Sequence, residues 1–385
     1  MELIIPNYVI DIQNRLKNYN YECYLVGGCV WDSILGNSVK DYDLNTNCEI
    51  DTIKQIFNDY PIINNNGEKH QTITLHVSGD NVEITSYKHA DNEPNSLYSD
   101  LSHRDITINA MAYDNEVIDY YGGLNDLHNK IIRCVGNPID RIKEDPLRIL
   151  RILRFCSKLN FEIEKETSDA IHKTFHLLKG ISKERIKAEL DGILIGNNLK
   201  YILTNYRDVL FEIIPELKET YGFEQHNPYH TNDVFTHITN VCCNTENNTI
   251  LRIAALLHDI GKPKCFTIDE NNIGHFYGHP IVSYDLSLNI LKRLKYSNEE
   301  IEKITYLIKY HDSTILINKK SIRKNFSNTP NHDEELFMLL IKLKNADSSD
   351  HTIKELMDED SVRDILNQIK QDNECLKITD LDIDG

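Results

Sequence analysis

Two aspartates one residue apart, Asp41 and Asp43, follow the glycine pair Gly27-Gly28 after about 13 residues. In a strand, residues i and i+2 leave the same face, so the two carboxylates point together. Adjacent carboxylates repel unless a cation lies between them, and this pair suits Mg²⁺, a hard ion that takes oxygen ligands and bridges to phosphates. Two such ions would clamp an attacking hydroxyl and a pyrophosphate leaving group. The glycines would let the backbone approach a triphosphate closely. Taken alone, the pair reads as readily as a solvated turn with two surface acids. Glu83, in Val82-Glu83-Ile84-Thr85, is either a third carboxylate beside the pair or a solvent-facing strand residue.

A second constellation lies in the C-terminal half: His237, the doublet His258-Asp259, then His279, His311 and Asp347. Imidazoles with carboxylates suit a divalent transition metal such as Mn²⁺, Ni²⁺ or Fe²⁺, and tolerate Mg²⁺. Such an ion lowers the pKa of bound water and supplies hydroxide for phosphoester cleavage. His226, His230, His275 and Asp312 read as boundary or surface residues. Between the two constellations Arg148, Arg151, Arg154 and Lys158 recur at spacings of three and four, a basic stripe on one helix face that suits phosphates or is simply solvated.

The elements that must position these residues are legible in outline. Tyr24-Leu25-Val26 is an apolar run ending at the glycine pair. A helix then runs to Leu35, with Gly36 as its C-cap. Asp41 to Leu44 reads as a strand, and Asp51 to Phe57 as a helix. Thr72–Val77 and Asn81–Ser86 read as strands joined by a turn at Gly79-Asp80. Polar residues from Lys88 to Asp100 suggest a mobile loop. Ile106–Tyr113 reads as a helix start, followed by a strand around Val117 to Tyr120. From Asp145 onward the apolar spacing is almost entirely helical. The polar segment from Glu224 to Asn232 reads as a boundary.

Across 385 residues the formal net charge is −18, which argues against a general nucleic-acid coat protein. It leaves room for a nucleic-acid enzyme with local basic stripes. The nine scattered cysteines read as free thiols of a reducing, cytoplasmic compartment. There is no apolar run of membrane-spanning length, and the N-terminus lacks a signal-peptide layout.

The motifs around these residues carry a family resemblance. Arg104-Asp105-Ile106-Thr107-Ile108-Asn109-Ala110-Met111-Ala112 resembles the RRDFTINAMA motif of class II tRNA nucleotidyltransferases and bacterial poly(A) polymerases. Gly27-Gly28-Cys29-Val30-Trp31-Asp32 resembles their GGxVRD element, with the paired aspartates downstream. Asp119 to Leu127 and Arg141 to Arg148 resemble the next two motifs. The order His237, His258-Asp259, His279, His311, Asp347 resembles the two-metal HD phosphohydrolases, and Gly274 to His279 resembles HD modules fused to tRNA nucleotidyltransferases.

The resemblance implies an α+β protein: a polymerase-β-like nucleotidyltransferase head with a mixed sheet (1–140), an all-α neck and body (141–224), an all-α HD domain (225–366) and the start of a tail (367–385). It implies template-independent addition of CCA, or only CC, to tRNA 3′ ends from CTP and ATP. Asp41 and Asp43 would hold Mg²⁺. Gly27, Gly28, Arg104, Asp105, Asn109, Arg151 and Arg154 would bind the nucleotide, with Arg104 and Asp105 on the triphosphate and ribose. Asp145 and Arg148 would read the base, sharing one helix face because they are three apart. A carboxylate beside a guanidinium matches the amino group and ring nitrogen that cytosine and adenine both offer. Other readings are a poly(A) polymerase-like RNA adenylyltransferase, and an HD phosphohydrolase with an RNA-binding head.

Four departures from the family pattern carry expectations. Trp31 and His103 stand where arginines are expected, reducing positive charge near the triphosphate. The segment between Glu83 and Asp105 is about ten residues shorter than in many CCA-adding relatives, a shortening that the resemblance associates with adding only the two cytidines. The segment from Cys375 to Gly385 resembles the opening of the family's tail motif and stops there, from which weaker tRNA binding is expected.

Overall fold

The computed structural model describes residues 3–39, 41–63, 71–88, 93–228 and 231–372. The expected tail motif, from Cys375, and His230 lie outside them. The backbone divides into two compact units: residues 1–156 with 161–174, and residues 157–160 with 175–385.

The first unit is built on a seven-stranded mixed sheet. Its strands are β1 (Cys23–Val26), β2 (Tyr42–Thr46), β3 (Ile62–Ile63), β4 (Thr72–Val77), β5 (Asp80–Ser86), β6 (Met111–Asp114) and β7 (Glu116–Asp119), in the spatial order β3-β4-β5-β2-β1-β6-β7. Every pairing is antiparallel except β2 with β5, which sets Asp43 opposite Glu83 in parallel register. Leu25, Leu44, Leu75 and Ile84 are buried in the sheet. Helix Asn7–Asn18 packs on β1 and helix Ile50–Ile56 on β4, burying Ile12, Leu16 and Ile53. Each such aliphatic side chain contributes about 1.5–3 kcal/mol of burial. A further cluster joins Val26, Tyr87, Leu97, Leu101, Ala110, Ala112 and Val135.

The helix after the glycine pair is Gly28–Leu35, stopped by Gly36 in the left-handed conformation, as its sequence predicts. The hairpin turn lies one residue earlier than expected: Ser78 and Gly79 both have positive φ (55° and 91°), and Asp80 already pairs with Val77. The run Ile106–Tyr113 is only one 3-10 turn, Thr107–Asn109, and then strand β6. Its residues are buried all round between β1 and β7, so no polar face existed to mark the period. The expected loop from Lys88 to Asp100 includes the start of a helix, Leu97–Ser102, whose N-cap Ser96 accepts from Ser99 N–H.

A second correction concerns the base-reading pair. The helix Pro138–Glu144 ends before Asp145, which is extended (φ −145°, ψ 100°), and a new helix runs Arg148–Leu159. Asp145 precedes Pro146, and a residue before proline is pushed out of the helical region. Asp145 and Arg148 therefore do not share a helix face. Asp145 instead starts the second helix, its Oδ1 accepting from Leu147 N–H at 3.1 Å and its carbonyl from Arg148 N–H at 3.0 Å.

Among its described residues the second unit has helices and one two-stranded ribbon, Thr267–Ile268 with Gly274–His275. Buried Arg252 ties two of its segments together, donating to the carbonyls of Leu194, Gly196 and Thr245. The first of these is a helix-terminal carbonyl with no partner inside its own helix. No described helix is long and apolar enough to cross a membrane, and the eight described cysteines are free thiols.

Candidate active site and metal centre

The head site forms where β1 gives way to its helix. Gly27 sits at φ 72° and ψ −135°, a conformation that disfavours any residue with a Cβ. A Cβ there would stand 3.5 Å from Asp43 Oδ2 and 3.8 Å from Arg104 Nη1. The glycine turn, the second aspartate and the motif arginine are thus immediate neighbours. Asp41 is exposed just before β2, and Asp43 is half-buried within it. Glu83 is exposed, yet as the register partner of Asp43 it leaves the sheet on the same face. Both readings of Glu83 therefore hold together.

Burial first, then the charge of Glu83, pushes the Asp43 carboxyl up to about 6, with Arg104 opposing and Asp41 adding to the rise. A cation would relieve that repulsion, so these carboxylates fit a bound divalent ion. Arg104 is anchored by buried Asp100, with Nη2 3.3 Å from Oδ2. Asp100 also accepts from Asn45 Nδ2 at 2.7 Å and Lys88 N at 2.8 Å. Sequence reasoning missed Asp100, although its place four residues before Arg104 was the available signal.

Asp105 is 6% exposed. Its Oδ1 accepts from Ile106 N–H (2.9 Å) and Asn109 Nδ2 (3.0 Å), and its Oδ2 from Arg151 Nε (2.8 Å). The carboxylate expected at a ribose hydroxyl thus faces inward and holds Arg151, whose side chain is 35% exposed. The Arg151 charge, with these hydrogen bonds, keeps the buried Asp105 below the usual carboxylate range despite desolvation. Arg148 is fixed by the carbonyls of Arg141 and His103, at 2.8 Å each, and by Glu144 at 2.7 Å. Arg154 stacks over Phe155, 4.6 Å from the ring centroid. Trp31 is 2% exposed, and its Nε1 donates to Asn109 Oδ1 at 3.0 Å. It is an interior donor rather than a missing surface charge. His103 pairs with Glu93, at 2.7 Å, and with Arg141.

In the second unit all six predicted ligands converge. His258 and His311 each follow the last residue of a helix, Thr249–Leu257 and Asn298–Tyr310. Their Nδ1 atoms bond the carbonyls of Ala255 (2.8 Å) and Ile308 (2.7 Å) three residues back. Those carbonyls have no partner within the helix, so each imidazole caps its own helix and turns Nε2 inward. His279 opens helix His279–Arg293 and anchors Nδ1 on Phe276 O at 2.9 Å. His237 differs: its Nδ1 meets the carboxylate of Asp350 at 2.9 Å. Asp350 is itself held by Asn240 at 2.9 Å.

Asp259 lies between two sets of nitrogens. Its Oδ2 is 3.3 Å from Nε2 of both His237 and His258, while its Oδ1 is 3.2 Å from His279 Nε2 and 3.6 Å from His311 Nε2. Asp347 Oδ1 stands 3.0 Å from His237 Nε2. His237, His258 and Asp347 could share one ion, as could His258, Asp259 and His311. The buried His258 Nε2 and Asp259 Oδ1 make no aligned hydrogen bond. Buried ligand atoms that gather in this way around one carboxylate fit a metal centre of one or two ions. Burial opposes protonation of His237, but Asp259, Asp347 and Asp350 outweigh it and lift its pKa to about 10. Lys262 adds its ammonium 2.7 Å from Asp259. The cavity in front, about 280 Å³, is also lined by His275, Asp312 and His351. His275, paired with Asp269 at 3.0 Å, and the exposed Asp312 stand at the mouth of this cavity and are not among the converging ligands. Asp350 and His351 were missed, although Asp347, Asp350 and His351 fall at i, i+3 and i+4.

The fold and the two sites define the class: a nucleotidyltransferase-type head followed along the chain by an HD-type cluster of candidate metal ligands. Three family models match in order: poly A polymerase head domain over residues 23–133, probable RNA- and SrmB-binding site of polymerase A over 160–220, and HD domain over 228–370. The chain thus carries a poly(A) polymerase-type head, the RNA-binding segment that accompanies it and an HD domain. Curated relatives include CCA-adding enzymes of Ligilactobacillus salivarius (37% identical over 227 residues) and Bacillus pumilus (35% over 226). Each match covers 55% of this chain, and 55% and 56% of the relative respectively, so the chain spans about half the length of the curated relatives it matches. Among solved structures it resembles the Bacillus stearothermophilus CCA-adding enzyme in complex with CTP (TM-score 0.71, 23% identity, 96% of this chain and 83% of that one). The Thermotoga maritima CCA-adding enzyme complexed with tRNA shares the fold (TM-score 0.62, 18% identity, 100% and 86%).

Proposed function

We propose that this protein adds nucleotides to tRNA 3′ ends without a template, completing CCA or its CC part from CTP and ATP and releasing pyrophosphate. The observation that carries this reading is the Gly27 turn set against Asp43 and Arg104, with Glu83 on the neighbouring strand. Asp41 and Asp43 would hold Mg²⁺, which when bound supplies charge neutralisation for the in-line transfer of a nucleotidyl group. Gly27 and Gly28 admit the triphosphate close to the backbone. Arg104, Arg151 and Arg154 bind its phosphates, with Asn109 and Asp105 behind Arg151. Asp145 and Arg148 offer an acceptor and a donor to the base edge, which favours cytosine and adenine. The CCA-adding relatives, and the CTP and tRNA in the structural neighbours, support these substrates. The free thiols support a reducing, cytoplasmic setting.

The convergent histidines favour a second activity. The HD centre would hold one or two divalent ions, a transition metal or Mg²⁺, through His237, His258, Asp259, His279, His311 and Asp347. When bound, the ion supplies an activated water for phosphoester hydrolysis.

Transcripts ending at the discriminator base, at C or at CC, given labelled CTP or ATP, test the main reading. Two C residues and then A mark a full CCA enzyme. C without A marks a CC-adding enzyme and supports the short-segment argument. Adenylation of unrelated RNA with equal efficiency would contradict the tRNA reading in favour of a poly(A) polymerase.

A further inference from the structure

We propose that Trp31 is a positioning residue for nucleotide binding, acting through Asn109 and Asp105 on the guanidinium of Arg151. The inference rests on the reading of the head as a nucleotide site, and Trp31 is the protein's sole tryptophan.

The relay is continuous and its direction is fixed by chemistry. An indole N–H only donates, so the atom of Asn109 facing Trp31 Nε1 at 3.0 Å must be the amide oxygen. An ionised carboxylate only accepts, so the amide nitrogen must face Asp105 Oδ1, also at 3.0 Å. Asn109 therefore has a single orientation, set from both ends. With Oδ1 held by Asn109 and by Ile106 N–H, the Asp105 carboxylate cannot rotate without breaking a buried bond. Its Oδ2 then takes both Arg151 Nε at 2.8 Å and Nη2 at 2.7 Å. Trp31, Asn109 and Asp105 are 2%, 7% and 6% exposed, and the half-exposed Arg151 is the relay's outward end.

Loss of the indole N–H leaves the Asn109 oxygen unpaired and frees the amide to turn. A lost buried hydrogen bond costs enough to weaken an affinity about two- to tenfold. A nearby group that merely packs would change stability without changing how Arg151 meets a phosphate.

The test is equilibrium binding of labelled CTP with Mg²⁺ to the full chain, as wild type, Trp31→Phe, Arg151→Ala and the double variant. Asn109→Ala cuts the relay one step later and stands in if Trp31→Phe does not fold. The expected result is CTP binding about two- to tenfold weaker in Trp31→Phe. The double variant should be no weaker than Arg151→Ala alone, because coupled residues are not additive. Independent, multiplying losses would overturn the relay, as would unchanged binding in Trp31→Phe and Asn109→Ala. Wild type that binds no CTP would overturn the nucleotide reading itself, and the relay with it.

Discussion

Glu83 lies directly opposite Asp43 in the parallel register of two neighbouring strands, so the two carboxylates leave the sheet on the same face. Apposed acids of this kind are costly in an empty site and useful in a metal-loaded one, which gives the first prediction. Burial and Glu83 raise Asp43 from 3.8 to about 6. A raised carboxyl binds more protons folded than unfolded, so its ionisation costs stability as pH rises from about 4 through 6. In metal-free protein Asp43→Asn should therefore be the more stable chain at pH 7, by at most about 3 kcal/mol. The gap should close towards pH 4. Denaturation midpoints of both proteins in chelator at the two pH values measure it. A destabilised Asp43→Asn would contradict the account of the site.

The Asp350 carboxylate behind His237 should matter to metal and not to folding alone. It fixes Nδ1 of His237 and so aims Nε2 at the ion. Removing such an outer partner typically weakens metal binding about 10- to 100-fold. Asp350→Asn should show that loss in Mn²⁺ titrations by calorimetry, while helix content stays unchanged.

Divalent metal should stabilise the HD unit through its imidazoles. Ligand at about 100 times its Kd adds about 2.7 kcal/mol. Mn²⁺ added to chelator-treated protein should thus raise the melting temperature, and His258→Ala should remove most of that rise. An equal rise in both proteins would place the bound ion elsewhere.

Arg148 is held by two carbonyls and Glu144, so a change there should relax base choice more than it weakens binding overall. Arg148→Ala should narrow the preference for CTP over UTP by about 10-fold or more, since a good bidentate contact discriminates by about 1–3 kcal/mol. Competition between labelled CTP and UTP at a tRNA end measures it.

The sequence made the chemistry more legible than the local geometry. The six HD ligands, picked out by residue type and order, converge in the structure. Asp43 and Glu83 could not be paired from sequence, since a parallel pairing between distant strands leaves no local trace. The helix read over Ile106–Tyr113 failed because its residues, Thr107 and Asn109 included, are all buried, so no exposed polar face marks a helical or a strand period. Asp145 was placed on a helix by its spacing from Arg148, while Pro146 held the contrary signal. Trp31 looked like a lost charge, and only its burial and its bond to Asn109 revealed a donor.

The most direct test compares labelled CTP incorporation into tRNA lacking its 3′ end by wild type, Asp43→Ala and His258→Ala. Wild type and His258→Ala should both extend the tRNA, and Asp43→Ala should lose extension almost completely. Extension that survives Asp43→Ala, or none by the wild type with Mg²⁺ present, would contradict the assignment of nucleotide transfer to the head.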